Sequence, residues 1–311
     1  MARVKSGRHV KVRGTSWGGV EWREVTNPGD ELRRLMSEDG ALPVAGVFNP
    51  LSALIAEQVG FRALYFSGAA FSASLGIPDI GLFTLDELAT AVRWVTKATT
   101  LPLIVDADTG FGEAINVHRT VNDLEAAGAA AIQIEDQVMP KRCGHLDGKQ
   151  IVSAEEFAVK VRAASEARRS SLIIARTDSK AVYGMCEAVR RGKLYQEAGA
   201  DIIFPEALES QEEFAEYSRL VDAPLLANMT EFGRTPYLTV EQFGELGYKL
   251  VIFPVTALRV SAKAMEGALS ETLSLGTQRS LLSDMQTRAE LYELIRYSDY
   301  ERMDSAFRGE A

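Results

Sequence analysis

Cysteine and histidine are scarce in these 311 residues: only Cys143 and Cys186, and three histidines, His9, His118 and His145. Two cysteines cannot build a disulfide framework, and they fit a reducing cytoplasm. No apolar run approaches the roughly 20 residues needed to cross a bilayer, so membrane insertion is not expected. Positive charge is also in deficit, with 34 Lys and Arg against 43 Asp and Glu, a net charge of −9. Six of the basic residues fall in residues 1–23 beside a single acid, which leaves the remainder near −14. Nucleic acid is therefore a poor partner, and an anionic substrate would have to be met by a few locally gathered cations. Residues 1–23 are expected to form a basic arm. They lack the apolar core of a secretory signal.

A Gly-rich dinucleotide turn is missing as well. Phe48-Asn49-Pro50 follows the first apolar run where such a turn would stand, which disfavours an open Rossmann sheet. What is present is a repeat of short Val-, Ile- and Leu-rich runs alternating with longer amphipathic segments, the pattern of βα units. The runs are Leu42–Val47, Ala63–Phe66, Pro102–Val105, Ala130–Ile134, Leu172–Ala175, Asp201–Phe204, Pro224–Ala227 and Leu250–Phe253. Thr84 with Glu87, Ser153 with Glu156, and Thr239 with Gln242 have the spacing of capping boxes at helix starts. Gly128 and Gly199 suit helix ends that turn straight into a strand. Eight units without a long linker predict a closed α/β barrel of the (β/α)8, TIM type, one domain over residues 24–311. Two further helices, Thr256–Leu275 and Leu281–Tyr297, exceed what one barrel needs. They are expected to form a C-terminal extension from about residue 256 that caps or swaps across a subunit interface.

In such barrels catalytic residues stand at the C-terminal ends of strands. Polar residues follow nearly every run: Ser67-Gly68, Asp106 and Asp108, Glu135-Asp136, Arg176-Thr177-Asp178, Glu206, and Asn228-Met229-Thr230-Glu231. Asp106-Ala107-Asp108 would put two carboxylates on one side of an extended chain, since side chains alternate with period two. With no histidine or cysteine beside them, they suit a hard cation such as Mg²⁺ or Mn²⁺, with Glu135 and Glu206 in an outer shell through water. A metal so bound stabilises the enolate formed when a bond beside a carbonyl breaks, and a proton donor is then required. Lys141-Arg142-Cys143-Gly144-His145 supplies one, because positive neighbours make a thiol usable near neutral pH. Arg176, Arg259 and Arg288 are candidate carboxylate clamps. His118 reads as structural, and Cys186 as a small filler near a helix start.

Four segments, Asp106-Ala107-Asp108-Thr109-Gly110-Phe111-Gly112, Ile134-Glu135-Asp136-Gln137, Lys141-Arg142-Cys143-Gly144-His145 and Ala175-Arg176-Thr177-Asp178, resemble the motifs of the isocitrate lyase and phosphoenolpyruvate mutase superfamily. The branch most similar is the one that cleaves 2-methylisocitrate. The resemblance runs from about residue 25 to about 305 and includes Phe204-Pro205-Glu206-Ala207, Asn228 to Gly233 and Met285-Gln286-Thr287-Arg288. It implies a Mg²⁺-dependent retro-Claisen cleavage of a tricarboxylate to pyruvate and succinate, in the methylcitrate route for propionate. It further implies Asp106 and Asp108 on the metal and Glu135 behind a water. Ser67, Gly68 and Ala69 would sit against the pyruvyl part, with Asp79 nearby. Lys141 to His145 would form a mobile loop in which Cys143 protonates the departing carbanion. Arg176, Glu206, Asn228, Thr230, Arg259 and Arg288 would complete the shell, with Tyr65 as the base. A swapped helix pair and a homotetramer, a dimer of dimers, are also implied. The chain departs from the usual pattern at Ala69-Ala70, where two glycines are expected, and at Gln133, where histidine is common.

Rival readings remain open at this level. Isocitrate lyase acts on a substrate one methyl smaller, a difference worth only about 1–3 kcal/mol in a pocket. Oxaloacetate decarboxylases and phosphonate mutases share the barrel and the metal acids but lack the cysteine loop. A non-catalytic barrel would be expected to have lost a metal acid or Cys143, and neither is lost.

Overall fold

The computed structural model describes residues 27–146 and 148–309; the expected arm, 1–23, lies outside the described residues. Eight parallel strands, β1 (Leu42–Val47), β2 (Leu64–Phe66), β3 (Leu103–Asp106), β4 (Ala131–Glu135), β5 (Leu172–Thr177), β6 (Ile202–Pro205), β7 (Leu226–Asn228) and β8 (Leu250–Phe253), alternate with helices. They run β6-β5-β4-β3-β2-β1-β8-β7, and the ring closes where Ile203 bridges to Leu225 and its N–H donates to the Pro224 carbonyl at 3.0 Å. The expected (β/α)8 barrel is therefore the fold. Most differences from the expected runs lie at their ends. Asp106, Glu135, Arg176, Thr177 and Asn228 belong to the strands themselves, because ladder hydrogen bonding is a property of the backbone and continues through polar residues.

Period-two alternation decides what faces inward. One buried apolar cluster contains Val44, Tyr65, Ile104, Ala131, Ile174, Phe204, Leu226 and Ile252, the barrel interior, together with Leu32, Leu35 and Met36 of the helix Pro28–Met36. Their neighbours in sequence, such as Ala45, Leu64, Val105, Ile132, Ile173 and Ile203, pack outward against the helices in a second cluster. Each fully buried aliphatic side chain contributes about 1.5–3 kcal/mol relative to exposure. Counting on in steps of two from the interior set gives Asp106, Gln133, Glu135, Arg176, Glu206 and Asn228. The apolar plug thus ends in a polar layer at the C-terminal face.

Thr84 with Glu87 and Thr239 with Gln242 form reciprocal capping boxes, whereas Ser153 accepts from the Glu156 N–H at 3.2 Å without the return bond. Gly128 and Gly199 take φ of +100° and +108° at the expected helix ends. The helix Thr256–Leu275 matches its expected bounds and buries none of its residues. The second expected helix, Leu281–Tyr297, is instead a 3₁₀ turn (Arg279–Asp284) and two helices, Arg288–Leu294 and Tyr297–Arg308. Thr287 and Glu290 make a capping box that starts a new helix, and Arg296 at φ +58° breaks the path before the last one. The described residues fall into two compact units, 27–283 and 284–309.

Candidate active site

Asp106 ends β3, and here one premise of the sequence reading fails. The chain is not extended through Asp108, which takes φ +48°, a left-handed conformation that aspartate tolerates better than most residues. The carboxylates converge through a turn, in which Asp106 Oδ1 accepts the Asp108 N–H at 3.2 Å. A Cβ placed on Gly68 would lie 3.0 Å from Asp106 Oδ2 and 3.3 Å from Asp108 Oδ1, so both acids flank one point above the interior. The Gly68 N–H donates to Asp106 Oδ2 at 3.2 Å, and Ser67 caps the helix Gly68–Ser74 through the Ala70 N–H.

Strand register sets the remaining partners. Gln133 lies opposite Asp106, and its Nε2 donates to Asp106 Oδ1 at 3.1 Å. Its Oε1 accepts from the Tyr65 hydroxyl at 2.9 Å. Glu135 lies opposite Arg176, whose Nη1 is 3.3 Å from both Glu135 Oε2 and Glu206 Oε2. The Arg176 Nε donates to Asp178 Oδ2 at 2.9 Å. Asn228 Nδ2 reaches both Glu206 oxygens at 3.3 Å. These groups are nearly all buried, and removing one member of such a pair costs about 3–5 kcal/mol.

The segment Lys141 to His145 seats across this layer. Lys141 Nζ pairs with Asp79 Oδ1 and lies 2.9 Å from Asp108 Oδ1. His145 Nδ1 accepts the Arg234 N–H at 3.1 Å, which leaves the proton on Nε2, 3.1 Å from Glu206 Oε1. Lys141 is thus engaged by carboxylates, and Cys143 itself is exposed at the rim. Beneath it lies a cavity of about 90 Å³. Ordinary ligand sites hold about 300–1,000 Å³, so the cavity under the seated loop is small.

Most residues singled out from the sequence line this one cavity. From the strand ends come Tyr65, Ser67, Ala69, Asp106, Arg176, Glu206, Asn228 and Thr230, and Asp79 and Arg259 stand at its side. The loop adds Lys141, Arg142, Cys143, Gly144 and His145. Arg259 donates to the Glu231 carbonyl at 2.7 Å and lies over the Phe232 ring at 5.3 Å. Arg288 opens the helix Arg288–Leu294 in the C-terminal unit. A larger cavity of about 690 Å³ borders the turn after β3, but of the expected site residues it takes only Asp108, so the chemistry converges in the smaller one.

The electrostatics suit a cation. Burial, aided by Asp106, pushes the Asp108 carboxyl up to about 7 against the pull of Lys141, and burial raises Glu135 well above the usual carboxylate range. Burial would raise Glu206 too, but Arg176, His145 and Lys149 outweigh it and hold that group well below the ordinary range. Asp108 Oδ2 and Glu135 Oε1 are buried without a hydrogen-bond donor. Among the described residues no three His, Cys, Asp or Glu side chains converge as a metal cluster. The fit is therefore to a hard ion that takes two carboxylates and fills its remaining positions with water or substrate oxygens, as Mg²⁺ or Mn²⁺ does.

A family model described as phosphoenolpyruvate phosphomutase matches residues 32–273. The chain belongs to that family. Among relatives of this phosphomutase-family barrel is a 2-methylisocitrate lyase of Aeropyrum pernix, 59% identical and covering 90% of this chain and 91% of its own length. The Escherichia coli K12 2-methylisocitrate lyase is 42% identical, covering 90% of this chain and 97% of its own. These relatives are named as carbon–carbon lyases. Among solved structures, a 2,3-dimethylmalate lyase of the same superfamily superposes with a TM-score of 0.85 at 35% identity, over 91% of this chain and 96% of that one. A phosphonopyruvate hydrolase solved with oxalate and Mg²⁺ superposes at 0.81, with 31% identity, over 90% of this chain and 99% of that one.

Sequence reasoning did not foresee the contacts that Gln133, Gln137, Lys149 and Asp178 make around this cavity. Gln133 was legible as an inward residue, two positions before Glu135 on β4. The other three are marked by no local periodicity.

Proposed function

We propose that this chain cleaves 2-methylisocitrate to pyruvate and succinate, with Mg²⁺ held by Asp106 and Asp108 and with Glu135 acting through a bound water. One observation carries the reading: the cysteine loop closes over a small cavity walled by the buried Asp106, its Lys141 reaches the neighbouring buried Asp108, and the near-full-length relatives are named for this substrate. Bound there, Mg²⁺, or Mn²⁺ in its place, would supply Lewis-acid polarisation of the substrate's hydroxyl and carboxylate oxygens.

The cleavage is redox-neutral. The substrate hydroxyl loses its proton to water, the bond between C2 and C3 breaks, and pyruvate carries away the new carbonyl. The carbanion left at C3 of the succinate half takes a proton from the Cys143 thiol. Arg176 and Arg259 serve the substrate carboxylates, and Ser67, Gly68 and Ala69 the pyruvyl part. Asp79 holds Lys141 against the metal acids, while His145, Asn228, Thr230 and Glu206 complete the wall. Tyr65 fits the hydroxyl-base role poorly: burial and the nearby Asp106 raise its phenol well above the ordinary value, and its proton is donated to Gln133. We assign it as a positioning residue that fixes the Gln133 amide, whose Nε2 donates to Asp106.

The same reading places the enzyme in the methylcitrate route of propionate breakdown, in the cytoplasm, as a homotetramer. Two unpaired cysteines and the bare helix Thr256–Leu275 support the last two points. The test is pyruvate against glyoxylate release with Mg²⁺ and either 2-methylisocitrate or isocitrate, compared as kcat/KM. The methylated substrate should be strongly preferred, and Cys143→Ser should lower kcat by about 10²- to 10⁴-fold. Preference for isocitrate would move the function to glyoxylate formation. Cleavage of neither would leave the decarboxylase and mutase activities of the superfamily.

A further inference from the structure

The segment bearing Cys143 leaves and re-enters the barrel through a short antiparallel stem. Gln137 pairs with Ile151, the Val138 N–H donates to the Gln150 carbonyl at 2.8 Å, and the Val152 N–H donates to the Asp136 carbonyl at 2.9 Å. Two side chains rooted in or beside this stem grip the backbone on either side of Cys143. Before it, the Gln137 amide meets Arg142 as a strand would: Oε1 accepts the Arg142 N–H at 2.9 Å and Nε2 donates to the Arg142 carbonyl at 2.8 Å. After it, the Lys149 ammonium donates to the Gly144 carbonyl and to Asp178 Oδ1, the latter at 3.1 Å. Asp178 is itself immobilised, since it accepts from Arg176 at 2.9 Å and 3.1 Å and its N–H donates to Asp136 Oδ1 at 2.9 Å.

Both gripping residues are buried, Gln137 at 2% and Lys149 at 7% exposure, whereas Cys143 between them is exposed. A buried ammonium is retained only with full pairing, and here half of that pairing is a loop carbonyl. The grip on Gly144 also ties the loop to Arg176 through Asp178, the guanidinium that bridges Glu135 and Glu206.

We propose that Gln137 and Lys149 are positioning residues that clamp the peptide units flanking Cys143, and so set where its thiol stands over the cavity. Neither touches the cavity in this role. Both act on the proton donor through its own main chain. The inference rests on the proposed cleavage for what the thiol does, but the clamp itself can be tested without substrate.

The experiment compares the parent with Lys149→Met, Gln137→Glu and Lys149→Arg. Gln137→Glu keeps the acceptor for the Arg142 N–H and removes the donor. In the two disrupting variants kcat should fall about 100-fold with KM changed by less than about threefold, because a misplacement near 1 Å has that cost. Limited trypsin digestion, read by mass spectrometry, should cut after Lys141 or Arg142 about tenfold faster, since cleavage tracks the population of the unseated loop. Lys149→Arg, which still offers N–H donors to Gly144 and Asp178, should recover most of both. Unchanged trypsin cleavage in both disrupting variants would overturn the clamp. So would a loss of kcat matched by lowered thermal stability with parental loop cleavage, the result expected of residues that only hold the barrel together. If the parent cleaves neither isocitrate, the proposed function fails while the trypsin comparison still decides the clamp.

Discussion

At Gly144 the main chain passes so close to the strand ends that an added Cβ would lie 2.4 Å from Glu206 Cγ and 2.6 Å from Arg176 Nη2. Neither neighbour can yield cheaply. Glu206 is held by Arg176, Asn228 and His145, and Arg176 by Glu135, Asp178 and Glu206. Gly144→Ala should therefore lift the loop rather than reshape the layer beneath it. We expect about 100-fold lower kcat with little change in melting temperature, read by pyruvate release and differential scanning fluorimetry; parental turnover would show that the loop works from another seat. Gly144 was legible as part of a basic loop after a strand. Its reason for being glycine was not, because Glu206 stands 62 positions away in sequence. Asp108 teaches the same lesson from the other side. Alternation along an extended chain would aim its carboxylate beside Asp106, whereas the structure brings it there through a left-handed turn.

Elements were the most readable scale. Val, Ile and Leu runs marked every strand, because a strand buried on both faces of a parallel barrel has to be apolar nearly throughout. Less visible was what ties helices to strands behind the site. In the helix Met185–Glu197, Arg191 donates to Asp136 Oδ2 at 2.9 Å and to Glu187 Oε1 at 2.8 Å, while Arg190 links Glu187 to Glu155 of the helix Ala154–Ala167. Hydrogen bonding from Arg190 and then Arg191 holds the Glu187 carboxyl down to about 2. A depressed carboxyl stabilises the fold above its unfolded value, near 4.3, and that contribution is lost as pH falls through the folded value. Glu187→Gln should thus lower stability at pH 7 by no more than about 1 kcal/mol, given the half-exposed Arg190. The difference from the parent should shrink between about pH 5 and pH 2. Urea unfolding at pH 7, 4 and 2.5 checks this, and a difference that grows in acid would show that Glu187 is not the ionised partner.

For the whole molecule, the open question is what covers the helix Thr256–Leu275. Met265, Leu269 and Leu273 recur every four residues and form one exposed apolar stripe, with Leu273 88% exposed. Exposed stripes of this kind mark interaction surfaces, and the proposed tetramer supplies a second copy as the partner. Light scattering should give a tetramer for the parent and a smaller species for Leu269→Glu with Leu273→Glu. A monomeric parent would remove the tetramer from the proposal.

The sequence by itself determined the number and kind of elements, the inward and outward faces of each strand, and the residue types available at the strand ends. These follow from hydrophobic periodicity and capping chemistry, which act over a few neighbouring positions. The tertiary structure alone decided that Gln133 meets Asp106, that Glu135 meets Arg176, and that the loop lies close enough for Lys149 to hold Gly144 and for Gly144 to touch Glu206. It also decided the broken C-terminal helices and the raised Asp108 carboxyl. Register, loop seating and burial depend on groups far apart along the chain, and a local pattern of residue types carries no record of which distant partner each will face.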